Sequence, residues 1–378
     1  MIVIEFGDTE VDAADAVFGV DAEEVEAAHS LDEMLEPIRL AHGLPGLAAA
    51  VLFEGNIVAV GAAGRRKLGD EAALTVDDRF HLGSCTKAMT ATLAARLVGA
   101  GVIGWETTLA QGFAHIADEM NVAYRDVTLV DLLSHRAGFA ADIPADIWGQ
   151  LWSDPRPVAE LRAWFAQEML TLGPSVTPQT QVVYSNAGFM IAGAMLEHAT
   201  GRSWEALIEE HLFAPLEMTN CGFGTPATVG TVDAPWGHAE GAEGAVPVAP
   251  GPGGDNPRAL GPAGTVHCSL ADWAKFAAVH VAGARQSSDF LSAQAFETLH
   301  APRTLDPPFA LGWLALSRSW AGGIALHHTG SNTMFYADLW LAPARDIAFM
   351  VVTNRAGPTA SAAAEAVYGE LIPVWVTQ

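Results

Sequence analysis

Apolar and polar positions divide the chain into three stretches. In the first, Leu31, Met34, Leu35, Ile38 and Leu40 recur at helical spacing and predict a helix over Leu31–Ala41, with Pro37 inside it and His42-Gly-Leu-Pro-Gly46 ending it. The apolar run Leu47–Phe53, a Glu54-Gly55 turn and the run Asn56–Val60 predict a β-hairpin. Residues 61–80 are a polar connection. In the second stretch, Ala88–Val98 is apolar on nearly every side with Arg96 its only charge, and Gly99 and Gly101 stop it; this is the pattern of a buried helix. Further helical patterns cover Val130–Leu133, Pro157–Leu172, Ala187–Leu196 and Trp204–Leu212. Periodicity then fades from Gly222 to Gly264, where Pro250-Gly-Pro-Gly-Gly254 excludes regular structure. A loop of that length in a compact chain reads as a functional cover or a mobile segment, with Trp236 and His238 as candidates to line a pocket. In the third stretch, a helix over Ser269–Val281, capped by Ser269, precedes four strand patterns: Phe309–Leu316, Gly323–His328, Asn332–Leu341 and Ile347–Asn354. Pro343–Asp346 is a turn and Ala360–Leu371 a closing helix.

An early hairpin and a late meander imply an α+β fold: one antiparallel sheet built from both chain ends, flanked by the terminal helices, with a mostly helical domain inserted. The expected division is an acidic extension over 1–29, a sheet domain over 30–80 and 262–378, and a helical domain over 81–261 that includes the Gly/Pro-rich loop 222–261. The extension holds nine acidic residues and no Lys or Arg, the reverse of a secretory leader, and its start, Met1–Phe6, reads as a short strand. A cytoplasmic location is expected on that ground.

Composition narrows the function. Half of the 378 residues are hydrophobic, enough for a large core, and no window is long and apolar enough for a membrane span. Acidic residues outnumber basic ones 44 to 19, a net charge of −25, which repels nucleic-acid backbones and anionic lipid. Three cysteines, Cys85, Cys221 and Cys268, do not suggest a disulfide framework, and Cys85 reads as a buried inert thiol.

The chemistry concentrates at Ser84-x-x-Lys87, at the front of the buried helix. Side chains three apart on a helix lie roughly 5–6 Å apart at Cβ, so the lysine reaches the serine hydroxyl. A serine becomes a nucleophile when a neighbour takes its proton, and a lysine can do so once burial and the helix dipole lower its pKa. Two more motifs follow in order. Tyr184-Ser185-Asn186 precedes a second apolar helix; Asn186 is either a helix cap or a ligand for the lysine or a substrate carbonyl, and Tyr184 either a loop residue or a proton carrier. His328-Thr329-Gly330-Ser331 ends a strand pattern at what would be a cleft edge. His135 could be named a base for Ser84, and reads as structural if Lys87 and Tyr184 supply that chemistry, as the resemblance given next implies.

Together, Ser84-x-x-Lys87, Tyr184-Ser-Asn186 and His328-Thr-Gly330 resemble the three signatures of the serine β-lactamase and penicillin-binding superfamily, in the form of the class C branch with its esterase and D-aminopeptidase relatives. Leu132–Phe139, Gly261-Pro-Ala-Gly264, Leu311-Gly-Trp313 and Val351-Val-Thr-Asn354 are similar to the same family, and the resemblance covers about residues 30 to 378. It implies a covalent acyl-enzyme on Ser84, Lys87 and Tyr184 sharing the general-base role, substrate contacts from Asn186, His328, Gly330 and Ser331, and an oxyanion hole from the N–H groups of Ser84 and Ser331. One departure matters: class C β-lactamases carry lysine where this chain has His328, and a histidine, mostly neutral at pH 7, holds a substrate anion less well. The implied activity is hydrolysis of an ester or small amide. A β-lactamase or D-amino-acid peptidase using the same centre, and a non-catalytic acyl-ligand or partner-binding protein, are the alternatives. The implied partner is a small ester, amide or lactam, with no cofactor. No metal is expected either, since adjacent strand residues His327 and His328 point to opposite faces and cannot easily share an ion.

Overall fold

The computed structural model describes residues 28–242 and 244–376, so the expectation for Met1–Phe6 lies outside the described residues. Twelve strands are described: β1 (His29–Ser30), β2 (Gly46–Phe53), β3 (Asn56–Gly64), β4 (Arg79–His81), β5 (Gly222–Phe223), β6 (Gly237–Gly241), β7 (Gly244–Val248), β8 (Val266–Ser269), β9 (Leu314–Arg318), β10 (Gly323–Ser331), β11 (Tyr336–Ala342) and β12 (Ile347–Thr353). Seven form one sheet in the order β1-β3-β2-β12-β11-β10-β9. Its neighbours run antiparallel except the two-residue β1–β3 contact, which is parallel. Both chain ends therefore build one sheet, and β2 and β12, from opposite ends, pair at its centre.

These central strands are buried on both faces, which is why they read as unbroken apolar runs. Alternation still sorts their side chains. Leu47, Ala49, Val51, Phe349 and Val351 face a core shared with Leu35 of the Asp32–Ala41 helix and Val367 of the closing Pro358–Val376 helix. Ala48, Ala50, Leu52, Met350 and Val352 face the larger core, which continues through Phe276 of the Leu270–Ala284 helix into the helical middle of the chain. That helix packs on β2, β11 and β12, and Ser269 caps it as predicted by accepting from the Asp272 N–H.

Three local expectations need correction. The strand over Phe309–Leu316 is only β9; Phe309–Trp313 bends instead, because Gly312 takes a positive φ of 75° and its missing side chain leaves room for the Lys87 carbonyl. The strand over Asn332–Leu341 starts at Tyr336, since the Asn332 side chain accepts the N–H groups of Met334 and Phe335 and closes a turn. Cys221 and Cys268 form a disulfide across a separation of 47 residues. The pairing of β5 with β8, Gly222 opposite His267, sets the two cysteines side by side, and no sequence pattern announced that pairing. Cys85 is free and buried.

The Gly/Pro-rich loop is also more ordered than expected. It carries the β6–β7 ribbon and a short helical turn at Pro252–Gly254. Trp236 donates its indole N–H to the Thr231 carbonyl, and His238 is buried between the Asn354 carbonyl and the Leu68 N–H. The Leu68 N–H on His238 and the Arg66 carbonyl that accepts the Trp236 backbone N–H fasten the loop to the 65–68 connection. Deeper in the helical half, the buried Arg162 holds both Glu197 and Glu205 at 2.6 Å. A side chain at Gly261 would strike Glu205 and Arg162, so this triad sits directly behind the Gly261–Gly264 turn.

Phe349, fully buried in the core between the central strand and the terminal helices, tests this packing. Phe349→Ala is expected to lower the unfolding free energy by ~3–5 kcal/mol in a urea titration, and the less cavity-forming Phe349→Leu by under half of that.

Candidate active site

Ser84 lies in a short 3-10 turn, Gly83–Cys85, that runs directly into the Thr86–Gly99 helix. Residues three apart eclipse one another in such a turn, which brings Ser84 onto Lys87. Lys87 Nζ is 3.0 Å from Ser84 Oγ, 2.8 Å from Asn186 Oδ1 and 2.7 Å from the Ala263 carbonyl. Lys87 has 0% of its surface exposed, and burial lowers its pKa from the usual 10.5 to about 7. An amine with two carbonyl-type acceptors at 2.7 and 2.8 Å spends two N–H bonds on them. Its remaining valence, a lone pair when neutral, faces Ser84 Oγ.

Asn186 is the first residue of the Asn186–Thr200 helix and makes no cap; Ser185 takes the cap position, and the Asn186 side chain serves Lys87. Tyr184 brings its hydroxyl to Ser84, with which it hydrogen-bonds, while its ring centroid lies 4.9 Å from Lys87 Nζ. Although 38% of the residue is exposed, burial raises its pKa, and the hydrogen bond to Ser84 only partly opposes that rise. The phenol therefore stays protonated at neutral pH.

The His135 ring packs against the Tyr184 ring at 4.4 Å, tilted by 33°, and its Nδ1 accepts the Ser185 N–H at 3.2 Å. It braces the tyrosine segment and is held neutral by burial and by nearby Lys87, in keeping with a structural role. Phe309, in the bend before β9, closes on the same imidazole at 4.9 Å.

The opposite wall is the end of β10. Gly330 and Gly83 make the join possible. A Cβ on Gly330 would lie 1.9 Å from the Leu82 carbonyl and 2.7 Å from the Ser84 nitrogen, and one on Gly83, whose φ is +50°, would lie 2.2 Å from the Ser331 nitrogen. Two backbones thus touch without side chains between them, which sets the N–H groups of Ser84 and Ser331 beside each other. His328, 5% exposed, holds its Nδ1 2.6 Å from the Thr329 carbonyl; burial and Lys87 lower its pKa to about 3. It is neutral and carries no charge for a substrate anion. His327, one position away, points to the other face of the sheet, where it pairs with Asp338 at 3.0 Å and stacks on Trp340. Among the described residues no group of three His, Cys, Asp or Glu side chains is arranged to hold a metal ion.

The structure thus brings Ser84, Lys87, Tyr184, Asn186, His328, Gly330 and Ser331 into one cluster. It adds the Ala263 carbonyl, His81 and Asp255. The Gly261-Pro-Ala-Gly264 motif hinted at the first. His81 stands three residues before Ser84 with no signal to mark it, and Asp255 lies in a stretch without periodicity.

Comparison with known proteins places the chain in a family. The family model described as Beta-lactamase matches residues 27–372. "Penicillin-binding protein 4" of Amycolatopsis lactamdurans is 30% identical over 339 residues, covering 85% of this chain and 84% of its own. "Unguisins hydrolase" of Aspergillus violaceofuscus is 26% identical, covering 85% of this chain and 60% of its own. "D-alanyl-D-alanine-carboxypeptidase/endopeptidase AmpH" of Escherichia coli is 26% identical over 53% of this chain and 51% of its own. Among solved structures, the octameric penicillin-binding protein homologue from Pyrococcus abyssi superimposes with a TM-score of 0.73 at 21% identity, covering 89% of this chain and 75% of its own. SurE does so with a TM-score of 0.74 at 23% identity, covering 95% and 77%. At those identities the two structures speak for the fold alone.

The backbone contact at Gly330 is testable. Gly330→Ala is expected to cut labelling of Ser84 by a fluorophosphonate at least ~100-fold, since any relief of the clash separates β10 from the Ser84 turn. Gly369→Ala, at a helix position with open space around it, is expected to leave labelling within twofold.

Proposed function

The chain belongs to the beta-lactamase family and is a serine hydrolase; from that premise we propose that it cleaves an ester or small amide lacking an anionic group, through an acyl-enzyme on Ser84. The observation that carries this is the buried amine of Lys87, 3.0 Å from Ser84 Oγ, with a pKa brought to about 7. At neutral pH about half of such an amine is unprotonated, with its lone pair on the serine.

In the proposed reaction, Ser84 Oγ bonds to the carbonyl carbon as its proton passes to Lys87 Nζ. The oxyanion forms against the N–H groups of Ser84 and Ser331, donors of a kind worth ~3–4 kcal/mol each in the transition state. The carbon–leaving-group bond then breaks, and the leaving group takes a proton through the Tyr184 phenol, resupplied from Lys87. Water attacks the acyl carbon along the same route in reverse and frees Ser84. Because burial raises the Tyr184 pKa and lowers that of Lys87, the lysine is the better acylation base and the tyrosine the better carrier.

Neutral His328 supports the limit on substrate charge. A second reading, hydrolysis of a lactam or D-amino-acid peptide, takes its support from the names borne by the relatives and uses the same centre. The substrate in either case is a small molecule. No described helix is long and apolar enough to cross a membrane.

Ser84→Ala is expected to reduce turnover of a short-chain p-nitrophenyl ester by ~10⁴–10⁶-fold. Wild-type turnover of a chromogenic cephalosporin is expected to fall below that of the ester; the reverse order would favour the second reading. The pH dependence carries the lysine's signature. Its neutral form is the base, so kcat/KM should fall about tenfold per unit as pH drops below about 7. Between about 7 and 10.5 the unfolded chain holds a proton that the folded one has released, so Lys87 makes stability rise with pH across that window. Lys87→Met should remove both trends, which a pH–rate series and pH-dependent melting would read.

A further inference from the structure

Against the Ser84 turn lies a second polar arrangement that the reaction above does not use. His81, the last residue of β4, is fully buried. Its Nδ1 accepts the Gly83 N–H at 3.0 Å. A ring nitrogen that accepts has no proton, so the imidazole proton sits on Nε2. That nitrogen lies 2.7 Å from Asp255 Oδ1. The approach is bent away from the ring N–H direction, so it is a close charge–dipole contact rather than a linear hydrogen bond, and neither atom makes a hydrogen bond to another described residue. The carboxylate favours the tautomer that leaves Nδ1 free to accept.

The setting is rigid. Asp255 follows the Pro252–Gly254 turn, and its neighbours on both sides are tied to the walls of the active site. The Asn256 side chain donates to the Gly264 carbonyl at 2.7 Å, next to the Ala263 carbonyl that receives Lys87. Asn332, next to Ser331, donates to the Gly254 carbonyl at 3.4 Å. Residues 254–256 thus reach all three backbone segments that meet at Ser84. His267, opposite His81 in the β4–β8 register, is engaged with the Gly224 carbonyl and is kept neutral by burial, with a pKa near 4. It does not compete as a cation for Asp255.

We propose that Asp255 and His81 are positioning residues: Asp255 holds His81 in one tautomer, His81 grips the Gly83 N–H, and the grip fixes the direction of the adjacent Ser84 N–H. The need for such a grip follows from the join itself. Gly83 takes a left-handed φ of +50° with no side chain to lock it, and it lies against the Ser331 nitrogen. A small rotation of the Gly83–Ser84 peptide would leave the fold intact but turn one of two paired donors away from an oxyanion. The irregular loop, an expected cover, acts in this account as a strap that aligns the site. The inference rests on the reading of Ser84 as nucleophile and of the Ser84 and Ser331 N–H groups as oxyanion donors.

Two substitutions of unequal size separate alignment from filling space. His81→Asn keeps a carbonyl oxygen near the Nδ1 position, able to accept the Gly83 N–H. His81→Gln fills more of the cavity but carries its amide to the Nε2 position. Steady-state hydrolysis of the p-nitrophenyl ester is measured for both, with thermal melting alongside. The expected result is a kcat within ~3-fold of wild type for His81→Asn and a loss of ~10–100-fold for His81→Gln, with KM within ~3-fold for each. A kcat for His81→Gln equal to or above that of His81→Asn overturns the proposal. Should His81→Gln fail to fold, Asp255→Ala is compared in the wild-type and His81→Asn backgrounds. It should lower kcat in the first and have little further effect in the second, where no tautomer remains to be set; an equal loss in both overturns the proposal. Failure of the underlying reading has a different mark, since Ser84→Ala would then retain wild-type turnover of the same ester.

Discussion

Burying one lysine amine beside Ser84 is the constraint to which the surrounding structure answers. An ammonium group removed from water is costly unless its hydrogen bonds are replaced, and a lowered pKa is how that cost is relieved. Lys87 has acceptors from three separate parts of the chain: Ser84 in its own turn, Asn186 at the head of the second buried helix, and the Ala263 carbonyl. Each acceptor needs support. The Arg162–Glu197–Glu205 triad backs the Gly261–Gly264 turn, the Tyr184 segment is braced by His135, and the Gly312 bend lets the 309–313 segment press on the backbone of Lys87 itself. Three segments far apart in the chain meet at this amine.

The second constraint is steric. Gly83 and Gly330 let the Ser84 turn and the end of β10 touch backbone to backbone, closer than any pair of residues with Cβ atoms allows. That contact couples the sheet, built from the two chain ends, to the helix in the middle. It also explains why the site lies at the junction and why a sequence element as plain as a Thr-Gly pair after His328 belongs to it. Oxyanion stabilisation depends on donors aimed before the charge develops, so the rigidity of this junction bears on rate as well as stability.

Much of this was legible in the chain. The terminal helices, the hairpin, the late meander and the buried Ser84 helix follow from strong periodicity, and long buried strands and helices are the elements whose patterns local context rarely overrides. Ser84, Lys87, Tyr184 and Asn186 were legible because chemistry demands particular residue types at fixed spacing. The bend at Phe309–Trp313 and the turn at Asn332–Phe335 were not, because a glycine's φ and an asparagine's backbone hydrogen bonds overrode apolar patterns that suited strands. The Cys221–Cys268 disulfide was missed for a related reason, since it depends on β5 and β8 lying side by side.

By itself, the sequence determined the order of the elements, the sheet's origin in both chain ends, and the motif residues that gather around Ser84. These are properties of local spacing and burial, which a linear pattern carries. Tertiary structure decided the rest: which carbonyls receive Lys87, that Asn186 serves the lysine rather than the helix end, that His328 is buried and neutral, and that His81 and Asp255 lie against the Ser84 turn. Each of those depends on distance and desolvation between segments far apart in the chain, and neither quantity exists until the chain has folded.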